Sequence, residues 1–184
     1  MDLFGADADI TARYAAIRGV VTDAGSIAVL HIGEEHTGLA VGTSVGVQAT
    51  LTMAIGSHST AREFFKHAPP SPLELENAIA TVEDEVTRAR TLVQAGPTLY
   101  TTDAAIRAIA VLSGATEEAM QMELSIDAME RTFDRLTTVA LGRPASHEGL
   151  PQDRPFAATL LILREFMHHL QFASIHYVVL PDQA

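Results

Sequence analysis

The stretch IAVLHIGEEHTGLAVGTS, residues 27–44, crowds His31, Gly33, Glu34, Glu35, His36 and Thr37 into one turn between two apolar runs. Two chemistries compete for such a group. Imidazoles and carboxylates together suit Zn²⁺, Mn²⁺ or Fe²⁺, with His31, Glu34, Glu35 and His36 as the candidate ligands. Alternatively, an apolar run that ends in glycine, turns and returns is the outline of a phosphate-gripping hairpin. Such a hairpin needs glycines so that backbone N–H groups can approach the anion, a small hydroxyl residue beside them, and carboxylates for a hard cation. Gly33 and Thr37 fit that need. Glu34 and Glu35 oppose it, adding bulk where backbone must approach and negative charge where an anion must sit. His31 is a base that Mg²⁺ does not favour.

Other residues offer less. Ser57, His58 and Ser59 are neighbours, but neighbours in sequence do not make a triad, and helix capping explains the serines. Asp103 reads as an ordinary N-cap. Glu148 and Asp153 are a possible carboxylate pair, with capping or solubility as the simpler role. His168 and His169 point about 100° apart on a helix and chelate poorly. His147 and His176 have no evident partner. Met53, Met120, Met122, Met129 and Met167 suit gap-filling in a core.

The elements that must position these residues follow from periodicity. Ala6 to Arg18 reads as a helix with Ile10, Tyr14 and Ile17 on one face. Strands follow at 26–32, 37–43 and 47–55, joined by turns short enough for hairpins. The first strand is apolar throughout, implying burial on both faces, while the third alternates. Helices are expected from Ser57 or Ser59 as cap, over 73–94, over 103–114, from a Ser125 cap to about Leu141, and over 153–170. Pro72 serves the first turn of the second of these, and its acids, Glu74 among them, form a solvated face. Strands TLYTT and SIHYVVL complete five. Three adjacent antiparallel strands followed by helix–strand crossovers predict a mixed α/β sheet covered by helices, in one domain over 1–184: a lead-in at 6–22, a meander at 26–56, then helices with two further strands.

The 184 residues carry a formal net charge of −11 and no cysteine. So acidic a chain repels nucleic acid and anionic lipid, and no thiolate metal site or disulfide is available. The acidic start lacks the pattern of a signal peptide, and no apolar run reaches a membrane span of roughly 18 residues. A cytoplasmic protein is the expectation.

The stretches ADITARYAAIRGVV, the 27–42 hairpin, TMAIGSHSTAREFFKHAPP, TTDAAIRAIAVLSGA, GLPQDRPFAATLLIL and IHYVVLPDQA follow one another in a distinctive order and spacing. In these the chain resembles the second lobe of the exopolyphosphatase / guanosine pentaphosphate phosphohydrolase (Ppx/GppA) family. The resemblance implies an actin-like ATPase (ribonuclease H-like) lobe with a five-stranded mixed sheet. It also implies Mg²⁺-dependent hydrolysis of polyphosphate or guanosine polyphosphate in a cleft between two lobes. The family's general base lies on the other lobe, which this sequence does not include.

Placed on this chain, the family's hairpin aspartate falls on His31 and its glycines on Gly33, Glu34 and Glu35. Its serine falls on His36, its threonine on Thr37 and its glutamate on Gly38. The second phosphate motif, Ser-Gly-Thr, falls on Asp103, Ala104 and Ala105. Asp153, Arg154 and Arg107 match the family, while a later Ala-Gly becomes Leu160 and Leu161. The expectation is a diverged phosphatase-family lobe that is inactive alone and acts in binding or assembly, as a homodimer or with a partner lobe. The alternatives are a fragment of a working Mg²⁺-dependent hydrolase, and a metal site on the 31–36 hairpin.

Overall fold

The computed structural model describes residues 3–118 and 120–181, with side chains from residue 9 onward. Asp182 to Ala184, the end of the closing motif, lie outside the described residues. Helix α1 (Leu3–Val20) leads into β1 (Ile27–Ile32), β2 (Thr37–Thr43) and β3 (Gly46–Met53). Then come α2 (Ser57–Phe64), α3 (Pro72–Thr87), β4 (Thr98–Thr101), α4 (Ala104–Leu112), β5 (Glu117–Glu118) and β6 (Gln121–Ser125). Helices α5 (Ile126–Ala140), α6 (Ala145–Glu148) and α7 (Arg154–His169) precede β7 (Ser174–Val178).

The sheet has seven strands in the order β3-β2-β1-β4-β7-β6-β5, not the expected five. The two additions are β5 and β6. β5 is two exposed glutamates, and β6 is so short that its alternation, with Met122 and Leu124 buried, does not stand out in the sequence. They form because β7 presents a free edge, along which β6 pairs antiparallel from Gln121↔Val178 to Ser125↔Ser174. Strands β1, β4 and β7 run parallel, and β1–β2–β3 is the expected antiparallel meander.

The alternation of β1 explains its uniform apolarity. Ala28, Leu30 and Ile32 join the large core beneath the helices, while Ile27 and Val29 face a smaller cluster under α1. Ile10, Tyr14 and Ile17 fill that second cluster. The sheet is therefore covered by α1 on one face and by the other helices on the opposite face. On β3, Gln48 and Thr50 are exposed, as its alternation implies. Met53, Met122, Met129 and Met167 fill the core as expected, but Met120 is exposed and adopts a positive φ of 66° beside β6.

Helix α3 begins as expected at Pro72, yet Glu74 is not part of a solvated face. Ser71 caps the helix and the Glu74 carboxylate closes a capping box, accepting from Ser71 N–H at 2.8 Å, Lys66 N–H at 2.8 Å and His67 Nδ1 at 3.0 Å. The α-helix ends at Thr87 rather than Gln94. Beyond it the chain tightens into turns bonded three residues back, such as Arg90 N–H to Thr87 C=O, which carry Ala89 and Val93 into the core.

Burial alone would push the Glu74 carboxyl up, but the hydrogen bonds from Ser71, Lys66 and His67 outweigh it and hold it down to about 2. A depressed folded-state value means that this carboxylate stabilises the fold above about pH 4.5 and that its contribution is lost as pH falls toward 2. Glu74→Gln is expected to lower stability near neutral pH by about 1 kcal/mol, the scale of a helix cap. The gap to the wild type should close between pH 4.5 and 2 in thermal melts.

Candidate functional site

The chain leaves β1 toward β2 and β3 on one side and returns through β4 on the other. The C-terminal ends of β1 and β4 therefore flank a switch point, where α/β sheets open a crevice for ligands. His31 sits near the end of β1, and Asp103 stands two residues past the end of β4, just before α4. Their side chains meet there, His31 Nδ1 lying 2.6 Å from Asp103 Oδ1. The other Asp103 oxygen accepts the Ile32 N–H at 2.7 Å. From α1, Arg13 Nη1 approaches Asp103 Oδ1 at 3.4 Å and Thr102 Oγ1 at 3.3 Å, while its Nε pairs with Asp9 at 2.9 Å. Asp9 in turn lies 3.7 Å from His31 Nε2. The Asp103 side chain is only 6% exposed.

Asp103 is thus not an ordinary N-cap. It stands at the start of α4 but makes no side-chain bond to its own helix. Its carboxylate is spent across the crevice on β1 and α1.

Beyond β1 the hairpin closes on itself, Gly33 N–H donating to the His36 carbonyl at 2.9 Å. It then docks on α2. Ser57 N–H reaches the Gly33 carbonyl at 2.9 Å, and the N–H groups of His58 and Ser59 share the Glu34 carbonyl at 2.8 and 3.0 Å. The cap of α2 is Gly56, not Ser57 or Ser59, and those hydroxyls donate to the Gly33 and Glu35 carbonyls instead. Gly56 is needed because a Cβ there would lie 2.5 Å from the Glu34 carbonyl oxygen. Thr37 is fully buried, and its hydroxyl donates to Ile55 C=O at 2.7 Å, so it belongs to the sheet rather than to the crevice.

The hairpin side chains diverge. Arg62 holds Glu35 with two bonds of 3.0 and 2.8 Å and keeps its exposed carboxyl below the usual range. Glu34 points toward His58 at 3.4 Å. His31 turns to Asp103. Asp9, His31, Glu34, Glu35 and His36 line a small cavity of about 190 Å³. Among the described residues no three ligating side chains converge to hold a metal ion. The expected ligand set is therefore gathered around one cavity but not brought to one point.

The remaining candidates lie elsewhere. Asp153 caps α7 by accepting from Phe156 N–H at 2.8 Å, and Arg154 donates to the Phe65 carbonyl at 2.9 Å. Glu148 pairs with Arg143 at 2.9 Å rather than with Asp153. Arg107 pairs with Glu117 at 3.0 Å and lies over the Tyr177 ring. His169 lies 3.0 Å from the buried Glu165, and His168 3.4 Å from Glu130. His176 does have a partner, its ring centroid lying 5.4 Å from that of Tyr100. Sequence reasoning missed Asp9 and Arg13. Their four-residue spacing was a visible signal of a helical ion pair, but nothing in it pointed toward β1.

Crevice, mixed sheet and helical layers are those of the actin-like ATPase fold. Solved structures of similar fold bear this out. The Aquifex aeolicus PPX-GPPA enzyme superposes with a TM-score of 0.75 at 15% identity, over 95% of this chain and 60% of that one. An exopolyphosphatase from Cytophaga hutchinsonii gives a TM-score of 0.71 at 11% identity, over 96% of this chain and 60% of that one. The chain thus has the fold of one lobe of the Ppx/GppA phosphatases and spans about 60% of the length of these structures. No family model and no curated protein matches its sequence.

Gly56→Ala is expected to force α2 off the hairpin and to destabilise the protein by about 1–3 kcal/mol, the usual cost of overpacking. Urea unfolding measures it; an unchanged midpoint would show that the dock is looser than described.

Proposed function

We propose that this chain is a diverged lobe of the Ppx/GppA type that has no phosphohydrolase activity of its own and works in binding or assembly. One observation carries the reading. At the crevice where a phosphate would have to sit, the buried Asp103 carboxylate is bonded to the Ile32 N–H and His31. A fixed negative charge there repels a polyanion. Phosphoryl hydrolysis depends on the opposite, namely positioning and neutralisation of phosphate charge.

The surroundings agree. Asp9, Glu34 and Glu35 bring carboxylates to the adjoining cavity, which His31 also lines, and the Thr37 hydroxyl is occupied by the Ile55 carbonyl. The residues present also fit Mg²⁺ poorly. The metal-binding aspartate of the family is His31 here, and the oxygen donors do not gather. The assembly half of the proposal rests on the family resemblance, which implies chemistry in a cleft between two lobes. The chain spans about 60% of the length of its structural relatives. A second copy of this chain or a separate partner lobe is the proposed companion, in the cytoplasm.

The test is phosphate release from polyphosphate and from guanosine pentaphosphate with Mg²⁺ or Mn²⁺, comparing the wild type with His31→Gln. No release above background from either protein is expected. Release that falls in His31→Gln would overturn the proposal and favour a working hydrolase. Sedimentation at high concentration tests assembly, with a mass above that of one chain expected from a homodimer.

A further inference from the structure

The three groups that surround Asp103 come from two other elements, β1 and α1, and none from its own helix. Ile32 supplies a backbone N–H from β1, His31 an imidazole nitrogen from the same strand, and Arg13 a guanidinium from α1. Together they encircle two oxygens of one carboxylate at 2.6, 2.7 and 3.4 Å. The positive end of α4 begins at the same residue. An aspartate serving only its helix would bond to a backbone N–H of that helix, and Asp103 does not. Its carboxylate instead occupies a receptor built by the rest of the fold.

We infer that Asp103 is a tethered anion seated in an oxyanion receptor formed by Ile32 N–H, His31 and Arg13, and that a free small oxyanion takes the receptor when the carboxylate is removed. The inference rests on the proposed reading of the crevice and deepens it: the site is self-liganded rather than dismantled. Attachment to the chain explains why the tethered group prevails. An intramolecular ligand acts at a high effective concentration, against which a dilute external anion does not compete. The ligand class is a small, singly or doubly charged oxyanion. Formate matches the carboxylate itself, and inorganic phosphate is the larger probe. The adjoining cavity, which shares His31 and carries Asp9, Glu34 and Glu35, disfavours anything long or more highly charged.

The experiment is chemical rescue of Asp103→Ala, which removes the carboxylate and leaves its space. Melting temperature is followed against sodium formate and sodium phosphate, with sodium chloride at matched ionic strength as reference. Asp103→Ala is expected to melt below the wild type and to recover saturably by about 2–4 °C in formate beyond the chloride effect. The wild type should show no such difference. Asp103→Asn, which fills the space without charge, should not respond either. Adding Arg13→Gln to Asp103→Ala should weaken the formate response at least several-fold in apparent affinity.

Asp103→Ser is the second variant, should the alanine protein not fold in plain buffer. Folding that depends on formate would itself support the inference. Equal behaviour of both variants in formate and chloride, including remaining unfolded in both, would overturn it. So would a formate response as large in Asp103→Asn as in Asp103→Ala. These outcomes are separate from phosphate release by the wild type, so either proposal can fail without the other.

Discussion

A carboxylate buried between three elements is the constraint around which the crevice is organised. Leaving such a charge unpaired costs several kcal/mol, so every element near Asp103 must present a donor to it. Strand β1 does so with a backbone N–H and an imidazole, and α1 does so with Arg13. This links β1 to the start of α4 across the parallel β1–β4 pair, and it links α1 to both from the opposite face of the sheet. The polar clasp and the apolar cluster of Ile10, Tyr14 and Ile17 hold the same helix, one fixing its register and the other supplying its burial.

The hairpin illustrates a second use of backbone polarity. A helix start needs acceptors for its first N–H groups, and a tight turn leaves carbonyls that need donors. Here the two needs meet. The first N–H groups of α2 bond to the carbonyls of Gly33 and Glu34, and a glycine at position 56 lets the two backbones come close enough. The hairpin is thereby held as a rigid part of the fold, whatever its side chains do. That rigidity is compatible with an altered chemistry: Glu34 and Glu35 can occupy the turn because its shape is set by backbone bonds rather than by a bound anion.

Sharing a fold with phosphatases and sharing their chemistry are different matters. The architecture depends on where apolar surface is buried, and that surface is intact here. Phosphate chemistry depends on the sign of charge at a few positions in the crevice, and there carboxylates dominate. Two proteins at 11–15% identity can keep the first and differ in the second, because core packing tolerates exchange among apolar residues while a charge reversal at one position inverts the local field.

By itself the sequence determined the meander, the main helices, the double-sided burial of β1 and the crowding of imidazoles and carboxylates at the 31–37 turn. All of these rest on short-range periodicity, turn residues and apolar content, which are local properties. It did not reveal β5 and β6, whose pairing depends on a free edge of β7 that exists only after folding. The Ser71-x-x-Glu74 spacing carried the signature of the capping box, but not the further bonds of the Glu74 carboxylate to Lys66 N–H and His67. The meeting of His31, Asp103 and Arg13 spans positions 72 and 90 residues apart. Only the tertiary structure could decide it, because which of several carboxylates a histidine faces depends on how β1, β4 and α1 are stacked. The same stacking turned Asp103 from a local cap into the charge at the centre of the crevice.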